Sequence, residues 1–137
     1  MNRINEKIEE IEAYIQEPSE IMPLDFEEYV YNNEKKAACE RYFEKIVEAI
    51  IDLAFLVIRE ERMQTPEEDK QAFDVLEQKQ VISSNLSERL REAKGMRNII
   101  AHEYGKIDDE IVFESIKDQL IPDVEEFIKQ IKTFLNK

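Results

Sequence analysis

A formal net charge of −13 on 137 residues argues against a general nucleic-acid binder, because binding to phosphate is driven mainly by basic side chains displacing counterions. The length suits one domain with a real core, and two glycines with four prolines leave little material for β-turns, so the class expected is all-α: a compact bundle of about five helices over residues 1–137. Cys39 is the only cysteine, which rules out an intrachain disulfide, and neither a signal peptide nor a membrane span is legible, so a soluble, cytoplasmic protein is expected.

Ile4, Ile8, Ile11 and Ile15 recur at the spacing of one helix face and predict a first amphipathic helix. It should stop at Pro18, because proline and the residue before it resist helical geometry, and a loop to Pro23 follows. A short helical turn over 24–31 leads into a long helix from about Asn33 to Arg62. Between Ile46 and Ile58 apolar residues cover nearly its whole circumference, the mark of a central helix surrounded by others. Glu48 and Asp52 interrupt it one turn apart, and Arg41 and Lys45 extend the same stripe. The two carboxylates either sit on an exposed stripe of ordinary i, i+4 pairs or face a polar cleft and brace a cation such as Arg97.

Thr65-Pro66-Glu67-Glu68 predicts a helix start, with Thr65 as cap, Pro66 at the first helical position and Glu68 closing a capping box. Three to four turns anchored by Phe73 and Leu76 follow. Ser83-Ser84-Asn85 then breaks the chain, and Asn85 with Glu88 offers the next cap. The helix that begins there puts Leu86, Leu90, Ala93, Arg97, Ile100 and Tyr104 on one stripe, so Arg97 occupies a position where the pattern calls for a core residue. An unpaired buried guanidinium is costly, and Arg97 must meet a carboxylate, a phosphate or a cleft. Gly95, unfavourable inside a helix, predicts a close backbone approach or a bend, and Gly105 predicts a terminating cap. From Asp108-Asp109 a last helix keeps Phe113, Ile116, Leu120, Val124, Phe127, Ile131 and Phe134 in register, with a kink rather than a break at Pro122.

Charge is unevenly spread: residues 1–34 hold ten acids and two bases, whereas residues 86–106 hold five bases and three acids. This locally basic stretch contains the only histidine, His102, between the only two glycines. Zinc sites need several Cys or His ligands, which the chain lacks; Glu48 and Asp52 leave a magnesium site open without demanding one. Cys39, in a helical Ala-Ala-Cys-Glu run, reads as packing. A lone histidine on a helix is commonly an inert hydrogen-bonded ring, but here Asn98 and His102 are i, i+4 neighbours, and Arg97 and Tyr104 lie seven apart on the adjoining face. One helical segment thus presents a general acid/base, a phosphate-binding cation, an amide that can orient the imidazole, and a phenol.

Arg97-Asn98-Ile-Ile-Ala-His102-Glu-Tyr104 resembles the Arg-x-x-x-x-His-x-Tyr motif of the HEPN superfamily, specifically the HepT-like toxins of HEPN/MNT toxin–antitoxin systems. Arg41 with Glu48 and Asp52, the Thr-Pro-Glu turn at 65–67, and Tyr104 followed by Ile107-Asp108 extend the resemblance across residues 30–137. It implies a helical-bundle, homodimeric, metal-independent endoribonuclease toxin without a cofactor, with Arg97, Asn98 and His102 of two protomers lining a shared cleft that Arg41, Glu48 and Asp52 support. It further implies an RNA substrate, tRNA or mRNA, and an MNT-type nucleotidyltransferase antitoxin that transfers AMP to Tyr104. The main alternative is a non-catalytic helical module in which the same face grips a nucleotide or completes a nucleotidyltransferase's substrate site. A third is a purely structural dimerisation domain.

Overall fold

The computed structural model describes residues 2–17, 22–102 and 108–136, the side chains of Asn2 and His102 excepted. Among the described residues seven α-helices run in chain order: α1 (Asn2–Ile15), α2 (Phe26–Tyr31), α3 (Asn33–Glu60), α4 (Asp69–Gln78), α5 (Ser84–His102), α6 (Asp109–Glu114) and α7 (Leu120–Leu135), with a π-helical turn, Ser115–Gln119, joining the last two. The fold is all-α: five main helices, the last of them interrupted, plus the short α2. No strand occurs among the described residues, and no helix among them is long and apolar enough to cross a membrane.

α3 is the axis of the bundle. Its apolar residues cover the circumference, so it can lose water on every side only by packing against several helices, and it touches α1, α2, α4 and α5. Phe43, Ile46, Val47, Ile50, Leu53, Ala54, Val57 and Ile58 are all buried, each large side chain contributing roughly 1.5–3 kcal/mol of transfer free energy. Ile4, Ile8 and Ile11 of α1 lie in this core, as the isoleucine spacing requires. α7 contributes Val124, Phe127 and Ile131, and an edge-to-face contact between Phe73 and Phe127, centroids 5.9 Å apart, ties α4 to α7. Phe26, Tyr29 and Phe113 form a second aromatic cluster that fastens α2 to α6.

Two helix starts fall elsewhere than the sequence signals predict. α4 begins at Asp69, not at Thr65-Pro66. The side chain of Gln71 reaches back to accept from the backbone N–H groups of Glu67 and Glu68 at 3.2 and 3.4 Å, so the reciprocal cap lies one turn later. At α5 the capping side chain is Ser83, whose Oγ accepts from the Leu86 N–H at 3.1 Å, and not Asn85, which is already helical. The helix expected to kink at Pro122 widens ahead of it. Pro122 offers no N–H and its ring crowds the carbonyl four residues back, and the π turn relieves the ladder there, with the Leu120 N–H reaching the carbonyl of Ser115. The core register survives: Phe113, Ile116, Leu120, Val124, Phe127 and Ile131 are all buried.

Candidate active site

α5 carries the chemistry. Leu86, Leu90 and Ile100 bury one stripe of this helix against α3 and α4, and that stripe aims Arg97 at the seam between those elements. The Arg97 side chain is only 15% exposed and is ion-paired twice: Nη1 lies 3.6 Å from Glu48 of α3, and Nη2 lies 3.8 Å from Asp69 of α4. Its Nε donates to Oδ1 of Asn98 at 3.1 Å. A cation at a core position has therefore met carboxylates, as its desolvation cost demands.

The expected supports separate on folding. Glu48 braces Arg97. Asp52, one turn further along α3, turns to Lys7 of α1 at 3.7 Å, and Arg41 points outward to Glu44 at 3.6 Å. Neither is paired with Arg97: Asp52 meets a residue of α1 and Arg41 a residue of its own helix, whereas Glu48 meets α5. Asp69 is the carboxylate that sequence reasoning missed: an acid in the first turn of a helix ordinarily serves the helix dipole, and no spacing rule links it to Arg97. Asn98 spends its carbonyl oxygen on Arg97, an i, i+1 contact that the expected Asn98–His102 pairing did not include. His102 is the last residue of α5, its imidazole lies outside the described side chains, and Tyr104 and Gly105 lie outside the described residues. Gly95 meets no close approach: a Cβ added there finds nothing within 4 Å among the described residues.

Much of the positive charge of α5 is consumed within the chain. Arg89 pairs with Asp123 at 3.0 Å, and Arg91 with Asp74 at 3.4 Å and Glu77 at 3.9 Å. Arg89, Leu90, Ala93 and Met96 line a cavity of about 500 Å³ with residues of α6, the π turn and α7, and Arg97 is not part of its wall. Cys39 is buried, and burial pushes its thiol up to about 11. It is therefore a packing group with little thiolate at neutral pH.

The fold is an all-α bundle in which Arg97 lies five residues before His102, the last residue of α5. The chain belongs to the ribonuclease HepT-like family, whose model matches residues 4–131. It is similar to the mRNA nuclease HepT of Shewanella oneidensis, 33% identical over 89 residues, or 65% of this chain and 66% of that protein, so the match spans slightly less than two thirds of that relative's length. A tRNA nuclease HepT of Aphanizomenon flos-aquae is 24% identical over 132 residues, covering 96% of this chain and 89% of the relative. Among solved structures, a tri-AMPylated Shewanella oneidensis HEPN toxin in complex with an MNT antitoxin aligns with a TM-score of 0.86 and 26% identity, over 95% of this chain and 96% of that one.

Proposed function

We propose that the chain is a ribonuclease toxin: a metal-independent endoribonuclease that acts as a homodimer and is neutralised by an MNT-type nucleotidyltransferase antitoxin that transfers AMP to Tyr104. The observation that carries it is the placement of Arg97 at a core register position of α5, with its guanidinium held in orientation five residues before His102, in a chain of a ribonuclease family. In-line attack of a ribose 2′-hydroxyl on the neighbouring phosphate benefits from a base on one side and an acid on the other. One histidine cannot stand on both sides. In a dimer, His102 of one protomer takes the 2′-hydroxyl proton and His102 of its partner protonates the leaving 5′-oxygen, while Arg97 neutralises the phosphorane. The product ends in a cyclic phosphate.

Purified protein incubated with tRNA and mRNA in EDTA is expected to cleave and to leave cyclic-phosphate ends. Arg97→Ala and His102→Ala should each lose on the order of a hundredfold or more. Products bearing only 3′-hydroxyl ends, or full activity in His102→Ala, would sink the mechanism.

If Tyr104 borders the cleft, AMP on its oxygen adds bulk and negative charge where an RNA phosphate must sit, and both oppose binding. Incubation with the cognate antitoxin and ATP should add AMP masses to wild type and none to Tyr104→Phe, read by intact mass spectrometry; equal addition to both would place the acceptor elsewhere. A second reading, a non-catalytic nucleotide-binding module, draws support from the acid excess and from the two carboxylates already on Arg97. Nucleotide binding without cleavage of any RNA would favour it.

A further inference from the structure

Each nitrogen of the Arg97 guanidinium is held by a different residue: Nε by Asn98 at 3.1 Å, Nη1 by Glu48 at 3.6 Å and Nη2 by Asp69 at 3.8 Å. The last two come from separate helices. Glu48 and Asp69 together outweigh the single positive charge, in a chain already at −13. A phosphate approaching Arg97 must therefore displace a carboxylate or lie beside one. Both carboxylates are half-exposed, at 49% and 50%, and both distances exceed the about 2.7–2.9 Å of a charge-assisted hydrogen bond. They restrain the guanidinium without locking it. Asp69 has the shorter side chain and begins a helix whose entry is fixed by Gln71 on the backbone of Glu67 and Glu68.

We propose that Asp69 is a positioning residue for Arg97 and the counter-charge that an RNA phosphate displaces: it orients the guanidinium in the free protein and holds down its affinity for RNA. This rests on the ribonuclease assignment for the nature of the ligand. Displacement would let the same cation be fixed before substrate arrives and be free to neutralise phosphate afterwards.

The test is equilibrium binding of the whole chain to a fluorescent single-stranded RNA with 2′-O-methyl riboses, which has no 2′-hydroxyl to attack, at fixed salt. Asp69→Asn keeps the shape and removes the charge, and should bind roughly fivefold tighter, the order expected for unit charges a few ångströms apart in a water-like dielectric. Asp69→Glu should restore wild-type affinity. Asp74→Asn, which removes the same charge from α4 at a residue paired with Arg91, should change affinity much less. In an Arg97→Ala background the gain from Asp69→Asn should vanish. On cleavable RNA, Asp69→Asn should lower KM and kcat together, since the guanidinium binds phosphate more readily but has lost one hold. If Asp69→Asn does not fold, Asp69→Ser, which also suits a first helical turn, should show the same gain and the same dependence on Arg97. Equal effects of Asp69→Asn and Asp74→Asn, persistence of the gain without Arg97, or no binding by any variant would overturn the proposal. Coupling of Asp69 to Arg97 in a protein that cleaves no RNA would refute the ribonuclease assignment alone; cleavage without that coupling would refute the role of Asp69 alone.

Discussion

Gly95 lies in the middle of α5, two residues before Arg97, with no described neighbour within reach of an added Cβ. A helical glycine in open space contributes only excess freedom to the unfolded chain, so Gly95→Ala should raise unfolding stability by about 0.5–1 kcal/mol. Urea unfolding should show a higher midpoint at unchanged m; a lower midpoint would mean that the glycine accommodates a neighbour absent from the described residues. The same stretch shows what residue patterns can and cannot reveal. That Arg97 needed a carboxylate, a phosphate or a cleft followed from its place on an apolar stripe and from the cost of burying a bare guanidinium. Which carboxylate it would meet did not follow. Glu48 and Asp52 are equivalent by spacing, and only the placement of α1 and α5 around α3 sends one to Arg97 and the other to Lys7. Asp69 was invisible because its contact with Arg97 joins residues twenty-eight apart on separate helices.

Element by element, existence and order were readable and starting points less so. The long apolar α3, the isoleucine face of α1 and the register of α7 follow from periodicity, which depends only on local geometry. Caps depend on which of several competent side chains tertiary structure favours. Ser83, Ser84 and Asn85 all suit an N-cap; the Ser83 N–H donates to Gln130 of α7 at 2.8 Å, and this long-range tie fixes Ser83 as the residue outside the helix. Likewise Thr65 and Glu68 could both have begun α4, and Gln71 settles it in favour of the second. At Pro122 the expected departure from ideal helix is real, but its form is not a property of proline alone. A π turn is inserted before it, and the apolar residues on both sides of that turn stay in the core.

At the scale of the molecule the acid excess sets how stability responds to pH. Burial raises the Glu40 carboxyl above its usual range, with nearby Lys36 and the Tyr29 hydroxyl, 3.3 Å away, opposing the shift. Burial likewise raises Asp123, against the pull of Arg89. Glu10, Glu28 and Glu77 are lowered, chiefly by hydrogen bonds from Lys7, Lys35 and Ser84 respectively. In the interval above the ordinary glutamate range, the folded Glu40 still holds a proton that the unfolded chain has released. Unfolding there liberates a proton, so stability falls as pH rises through that interval and levels off above it. The lowered carboxylates act in the opposite sense only at more acid pH, where protonation removes stability that is fully present above their unfolded values. Self-repulsion among the excess acids adds to the first trend, since each proton bound reduces the net charge. The thermal midpoint of the wild-type chain should therefore rise as pH is lowered from neutral towards the unperturbed glutamate range, then fall as the lowered carboxylates titrate. Glu40→Gln keeps an acceptor for Tyr29 and abolishes the Glu40 titration, so it should make the first limb shallower, with Asp123 and self-repulsion left to carry the rest, and raise the midpoint at neutral pH while leaving the acid limb in place. A wild-type midpoint that climbs steadily up to neutral pH, or a Glu40→Gln profile parallel to wild type, would show that Glu40 is ionised at no cost in the folded protein, with Lys36 rather than burial governing its charge.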